Sequence, residues 1–262
     1  MDISLHDIVN FLLILARVSA VVGFFPLFGR RQIPMMVKAG MAGSLSFFWF
    51  STMRTPIVGP EISVPEISSA LAVLLVAKEM GIGLLIAMLL GFMLVPAKIA
   101  GQYVGQELGL SMAAISDPSS PDSSGEVGQL FETLAIFLFF GLNLHHFVLL
   151  FLDVTFNELG GKIDLLRLPT EQLVAVAQHL DDYGLLVAAP LGIVLFLLNL
   201  GLVYLNKAAP TMNLFSVGMA IRGSIGMVCM LVFLPFILQA ISVYFYRVEG
   251  DIEQAFALFQ YY

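Results

Sequence analysis

The sequence predicts an all-α, polytopic membrane protein on three observations. Of its 262 residues, 59% are hydrophobic and only 12% charged, where a soluble domain carries about 25% charged residues. The apolar residues gather into six runs, each near the ~20 residues that a helix needs to cross a ~30 Å hydrocarbon core. None of the runs alternates apolar and polar positions as a barrel strand would, so in lipid their backbone groups must be satisfied within a helix. This much apolar surface does not fit inside one soluble core and needs lipid or apolar partner subunits around it.

The first run, 8–28, follows the acidic start Met1-Asp2-Ile3-Ser4-Leu5-His6-Asp7. A cleaved export signal would be basic there and its apolar core shorter, so this run is expected to be retained. Pro26 and Pro34 bracket the turn into the second run, 35–53, and Pro56 follows it. The third run, 69–96, stops at Pro96. Proline at a segment end costs least, because the missing N–H has no helical partner there. The connector 97–129 is polar and includes Ser116-Asp117-Pro118-Ser119-Ser120-Pro121-Asp122-Ser123-Ser124-Gly125, a turn-forming stretch with nothing to bury.

The fourth run spans 130–152. The next connector, 157–183, holds Pro169 and Thr170 followed by Leu173, Val176, Ala177 and Leu180. That spacing predicts a short amphipathic helix capped by Thr170 and ending near Asp181 and Asp182. The last two runs, 184–206 and 218–246, carry Pro190 and Pro235 inside them. At 1.5 Å per residue the last run overshoots the hydrocarbon core, which predicts a kink near Pro235 or a strong tilt. No internal repeat is visible, and the whole chain, 1–262, reads as one membrane-embedded domain. Basic residues divide six to four between the two sides, with Arg30, Arg31, Lys38, Lys98, Lys207 and Arg222 facing Arg54, Lys162, Arg167 and Arg247. This small margin favours the first set as cytoplasmic.

The net charge of −7 and the scattering of the 12 Lys and Arg residues leave no basic stripe for phosphates, which excludes nucleic acid as a partner. The single cysteine, Cys229, reads as a small buried apolar residue. No GxSxG elbow, phosphate-binding loop, HExxH motif or acid/base carboxylate pair occurs, so no catalytic residue and no cofactor are expected.

Charges inside apolar runs are costly and are functional candidates by default: Arg17, Lys78, Glu79 and Glu132. They read either as an ion pathway or as residues that snorkel or pair between subunits. Beside the pair His145-His146, Asp153 lies seven residues after His146 and on a similar helical face, but the local sequence offers no further ligand, so a polar break or interfacial hydrogen bonding is expected rather than a metal site. Gly101, Gly105 and Gly109 recur every fourth residue beside Gln102, Gln106 and Glu107. If helical, they line one face and admit a second backbone closely; if not, they are loop glycines. Gly218, Arg222 and Gly226 repeat the spacing, and the arginine is placed to meet a neighbouring helix or to mark the membrane interface.

These motifs resemble the FliR family of flagellar export-gate subunits and its virulence type III secretion counterparts. Pro210, Met212, Asn213, Phe215 and Gly218 match a Pro-x-Met-Asn-x-Phe-x-x-Gly signature. The stretch Gly105-Gln106-Glu107-Leu108-Gly109 through Ala113, followed by Asp117-Pro118, is similar to the family's Gln-x-Gly-x-x-x-Ala and Asp-Pro segments. His145-His146 and Thr155-Phe156 stand where the family often has a Gly-Gly-His run and Ser-Phe; here Asn143-Leu144 replaces the glycines and Thr155 the serine.

The resemblance implies helical hairpins in a multi-subunit export gate of the bacterial inner membrane, within the flagellar basal body. FliP, FliQ and FlhB are the implied partners and unfolded polypeptides the cargo. It also implies that the connector from Gly105, Gln106 and Gly109 to Asp117 helps plug the closed pore. Two alternatives stand beside it: a virulence-type gate subunit, and a small-solute or ion transporter working through the intramembrane charges.

Overall fold

The structure is a computed structural model describing residues 4–29, 33–53, 56–58, 69–109, 125–157, 174, 177, 180–208 and 214–259. Among the described residues every regular element is helical: α1 (Leu5–Phe24), α2 (Pro26–Gly29), α3 (Met35–Thr52), α4 (Ser69–Gly91), α5 (Val95–Glu107), α6 (Gly125–Gly141), α7 (Leu144–Asn157), α8 (Leu180–Ala208) and α9 (Leu214–Phe259). The chain forms two compact units. One is drawn from Met1–Phe92, Asn143–Val174 and Glu249–Tyr262, and the other from Met93–Leu142 and Ala175–Val248.

In the first unit α1 packs against α3 and α4. Ser4 opens α1 with a reciprocal cap: its hydroxyl accepts from the Asp7 N–H at 3.2 Å, and the Asp7 carboxylate accepts from the Ser4 N–H at 3.0 Å. This satisfies two N–H groups that the helix start would otherwise leave open. Leu13, Ile14, Val18, Val21 and Val22 form the inner face, spaced by three and four residues as a helix requires. The helix ends at Phe25, whose N–H donates to the Val21 carbonyl at 2.9 Å, because Pro26 has no N–H to continue it. Ile82, Ile86, Leu89 and Leu90 are the matching inner face of α4, while Leu74, Leu84 and Met88 face outward. A helix apolar on every side is built for lipid or for other subunits. In α3 only Ala42, Ser46 and Trp49 are buried. The short segment at Val58 is tied down by its N–H, which donates to the Asn10 side chain at 3.0 Å.

In the second unit α5 packs against α6 and α8. α6 contributes Val127, Phe131, Ala135 and Phe139, one residue per turn. Phe139 meets Phe245 of α9 edge-on at 6.3 Å, and Tyr183 of α8 meets Tyr244 of α9 at 4.8 Å. α8 and α9 run antiparallel, since Gly218 lies against Leu202 and Gly226 against Leu195.

Among the described residues, four helices are long and apolar enough to cross a bilayer, or five if the bent pair α6 and α7 counts as one span. The six apolar runs are all helical in their described parts, but not every run makes a clear span, for two reasons. The run 130–152 is broken at Asn143, which sits in the left-handed region at φ 60°, a conformation asparagine tolerates better than other non-glycine residues. The second run folds as the 18-residue α3, which falls short of a span on the same measure. The run 69–96 also stops early, at Gly91, and Pro96 instead opens α5.

Pro190 and Pro235 interrupt neither α8 nor α9. α9 continues well past 246 to 46 residues, about 69 Å at 1.5 Å per residue. Asp181 and Asp182 lie at the start of α8 as described; the amphipathic helix expected before them lies largely outside the described residues. Thr170, Leu173, Val176, Asp117, Pro118, Pro210, Met212 and Asn213 lie outside the described residues, as does the Phe215 side chain.

Candidate functional site

Of the four intramembrane charges, the fold brings two together. Arg17, in the middle of α1, is fully buried, and Glu79 of α4 is 1% exposed. Arg17 Nε donates to Glu79 Oε2 at 2.7 Å, and Nη2 approaches the same oxygen at 2.7 Å. Nη1 turns to α7, donating to the Thr155 carbonyl at 2.8 Å and reaching the Thr155 hydroxyl at 3.4 Å. The guanidinium also lies over the Phe156 ring, 4.4 Å from its centroid, which adds a cation–π attraction in a water-free setting. One cation thus ties three helices, and its fork geometry is what makes that possible. Two charges taken out of water this completely are tolerated only when paired and hydrogen-bonded.

The local backbone is shaped for this clamp. Gly83, one turn beyond Glu79, lies so close to α1 that an added Cβ would meet the Arg17 carbonyl oxygen and stand 2.8 Å from Ala20 Cβ. Only glycine permits that approach, and the approach brings the carboxylate within reach of the arginine. A second polar tie lies nearby in the same unit. Trp49 Nε1 of α3 donates to Asp153 Oδ1 of α7 at 3.2 Å, Asn157 Nδ2 donates to the same oxygen at 2.8 Å, and the Trp49 ring packs on Phe156 at 5.3 Å.

The expectation that these charges snorkel or pair between subunits is corrected for Arg17 and Glu79, which pair within the chain. Lys78 and Glu132 are half-buried on α4 and α6. Asp153 serves Trp49 and Asn157 rather than a histidine-based site, and no group of metal-ligating side chains occurs among the described residues. Sequence reading singled out Thr155 and Phe156 only as motif positions. Their link to Arg17 spans 138 residues of sequence, and no local pattern announces it.

The glycine series divides in the second unit. Gly101 and Gly105 are within α5, whereas Gly109 lies just past its end at φ +77°. They therefore do not form one continuous helical face. A Cβ at Gly101 would stand 2.6 Å from the Val127 carbonyl oxygen and 2.7 Å from Gly128 Cα, so α5 and α6 touch backbone to backbone there. At Gly105 the nearest atom, Val127 Cβ, is at an ordinary 3.4 Å. Gly109 is the left-handed stop of α5, its N–H donating to the Gln106 carbonyl at 3.0 Å. Gln102 is half-buried and Gln106 exposed, while the exposed Glu107 accepts from Asn199 Nδ2 of α8 at 3.1 Å. Gly218 is buried, and Arg222 is half-buried on the same side of α9.

Together, the lipid-suited helices and their internally neutralised charges define a polytopic helical membrane protein. Residues 8–248 match the family described as bacterial export proteins, family 1, and the chain belongs to that family. It is 27% identical over 226 residues to the flagellar biosynthetic protein FliR of Bacillus subtilis strain 168, covering 85% of each chain. It is 29% identical to the FliR of Escherichia coli K12, covering 85% of this chain and 83% of that one. The Yop proteins translocation protein T of Yersinia pestis is 24% identical over 88% of both chains.

Proposed function

We propose that this chain is a structural subunit of the flagellar type III protein-export gate, forming with FliP and FliQ subunits, and with FlhB attached, the channel that passes unfolded flagellar proteins. The observation that carries this reading is the match to flagellar FliR proteins along most of both chains, on a scaffold whose spans expose broad apolar faces. In α8 and α9 only 22% and 17% of the residues in the apolar windows are buried, which suits helices that other subunits or lipid must cover. The site of action is the bacterial inner membrane at the flagellar basal body. The chain works as one export-gate domain and performs no bond chemistry.

In this reading the ion pair fixes the scaffold and the connector after α5 is the moving part. Gly101, Gly105, Gln106, Glu107 and Gly109 form its root, and Asp117 and Pro118 belong to the plug itself. Gly109 provides the backbone freedom at the root, and the Ser, Pro and Asp residues beyond it are too polar to settle in lipid. Pro210, Met212, Asn213, Phe215 and Gly218 are the family-motif positions, to which this reading gives a structural rather than a gating role.

Deleting the gene should abolish external filaments and motility, and the chain should copurify in mild detergent as a hetero-oligomer. A lone monomer able to drive solute uptake in liposomes would sink the gate reading and favour a transporter. The match to the Yersinia translocation protein supports a second reading, a virulence-type gate. Filaments that persist on deletion while another secretion system fails would select it.

A further inference from the structure

Two aromatic–cation pairs mark the ends of α8. At its start Tyr183 packs on Tyr244 of α9 with ring centroids 4.8 Å apart, and the Arg247 guanidinium lies over the Tyr183 ring at 5.5 Å. Near its end the Lys207 ammonium lies over the Tyr204 ring at 5.9 Å, and Tyr204 is 70% exposed. Tyrosines and long cations settle at headgroup level, where the apolar part rests on acyl chains and the polar tip stays wet. Tyr183 and Tyr204 are 21 positions apart, about 32 Å along a helix rising 1.5 Å per residue. At the ~20° tilt common among membrane helices this spans about 30 Å, which matches the ~30 Å hydrocarbon core.

Between these two levels α8 has two different sides. Leu186, Ile193, Leu197 and Leu200 are exposed and share a stripe with Tyr204, at helical spacings of three, four and seven. On the opposite side Ala188, Leu191 and Leu195 are buried, Gly184 lies against Ile99 of α5, and Asn199 donates to the exposed Glu107. A carboxylate at that depth excludes lipid from the α5 side and leaves the leucine stripe as the side lipid can reach. α9 presents an apolar face of its own through Val228, Leu231, Val232 and Phe236. Ser224 and Gln239 are exposed there too, but no charged residue occurs from 223 to 246.

The two levels differ in charge. Arg247 is accompanied by Asp181, Asp182 and Glu249, whereas Lys207 and Arg222 belong to a stretch, 184–248, that holds no carboxylate. Gly218 of α9 lies against Leu202 of α8, and a helical side chain leans toward the start of its own helix. The Arg222 head is therefore carried from 222 toward 218, the level of Tyr204. Phosphate is the anion that a bilayer supplies at this height, and arginine and lysine both bind it.

We propose that the outward face of the α8–α9 pair is a phospholipid-docking surface. Acyl chains cover the stripe from Leu186 to Leu200 and the exposed face of α9, and an anionic headgroup sits at Tyr204, Lys207 and Arg222. The surface goes beyond the export-gate reading and holds for either kind of gate, because it depends only on the spacing of the two levels and on their charge.

The test uses the complete complex, free of cysteine through Cys229→Ser and matching changes in its other subunits, in vesicles of mixed phosphatidylcholine and phosphatidylglycerol. A nitroxide is attached in turn at Leu186→Cys, Ile193→Cys, Leu197→Cys and Leu200→Cys, and its collisions with oxygen and with a water-soluble nickel chelate are measured. Lipid gives high oxygen and low nickel, a covering subunit gives low values of both, and water gives high values of both. The oxygen-to-nickel ratio should peak at Ile193 or Leu197, midway between the tyrosines, and fall toward each end. Low oxygen or high nickel throughout, or a peak at Leu186 or Leu200, overturns the docking surface.

A benzophenone amino acid placed at Tyr204 reads the headgroup end separately. On illumination it should couple to phospholipid, with phosphatidylglycerol enriched over its share of the vesicle. Lys207→Gln and Arg222→Gln should each lower the ratio of coupled phosphatidylglycerol to phosphatidylcholine about fivefold, the effect of about 1 kcal/mol per basic residue at a membrane surface. Lys207→Arg should keep the ratio. Lys207 is exposed, so its glutamine variant decides the matter if Arg222→Gln does not assemble. Coupling to a protein subunit, or a ratio that Lys207→Gln leaves unchanged, overturns the headgroup site.

Discussion

Replacing Glu79 by Ala should be among the most damaging single changes in this chain, and the structure sets its scale. Arg17 directs Nε and Nη2 at one Glu79 oxygen, each at 2.7 Å, and neither residue meets solvent. Removing the carboxylate leaves a buried guanidinium with the Thr155 contacts and a ring face for company. Breaking a buried pair in this way costs about 3–5 kcal/mol, a large share of the roughly 5–15 kcal/mol by which a typical protein is stable. Glu79→Gln keeps an acceptor and loses the charge, so its cost should fall nearer the ~1.5–3 kcal/mol of a charge-assisted hydrogen bond. Thr155→Val removes the hydroxyl's 3.4 Å contact with Arg17 and its 2.8 Å donation to the Leu152 carbonyl, and leaves the 2.8 Å bond from Arg17 to the Thr155 carbonyl, so it should cost about 1 kcal/mol.

The decisive variant replaces both charges. Arg17→Met with Glu79→Leu leaves nothing charged to bury and should recover to within about 2 kcal/mol of the parent, as buried pairs exchanged for apolar residues often do. The assay is the amount of chain recovered in the detergent-solubilised complex and the temperature at which that complex is lost. A double variant as unstable as Glu79→Ala would refute the view that the pair's role is scaffold integrity. It would direct attention to a role for the charges themselves. Silent single variants would refute the burial argument outright.

Gly101→Ala should separate α5 from α6, because its Cβ would be 2.6 Å from a backbone oxygen. The expected cost is about 1–3 kcal/mol, seen as loss of assembled complex, while Gly105→Ala, at 3.4 Å from its neighbour, should assemble normally. Gly109→Ala forces a side chain into the left-handed region at φ +77° and should cost about 1–2 kcal/mol, with slower filament regrowth after shearing as the readout. Trp49→Phe keeps the packing on Phe156 but removes the hydrogen bond to Asp153. A stability loss of about 1 kcal/mol is expected, and a thermal shift unchanged from the parent would show that the bond contributes nothing.

The all-helical membrane class was legible in the sequence, because an excess of apolar residues in long runs admits few other solutions in lipid. The helix ends near Pro26 and Pro34 were legible too, since a missing N–H acts locally. Local sequence also showed which charges were out of place, and Arg17 and Glu79 were both among them. It misjudged continuity where a single backbone angle decides. The polar group Asn143, His145 and His146 marked an interruption in the run 130–152 without giving the backbone angle that bends it, and the glycine repeat did not show that Gly109 sits outside the helix holding Gly101 and Gly105.

The tertiary structure alone decided who meets whom. Arg17 and Glu79 are 62 residues apart in sequence, and Glu107 and Asn199 are 92 apart, distances over which periodicity carries no information. Each pairing depends on the register between packed helices, set by contacts such as Gly83 on α1 and Gly226 under Leu108. The sequence by itself thus determined that the chain must live among apolar surroundings and which residues would be costly there. Only packing determined how that cost is met, because a buried charge is neutralised by whichever partner the fold brings within about 3 Å, and no single segment encodes that distance.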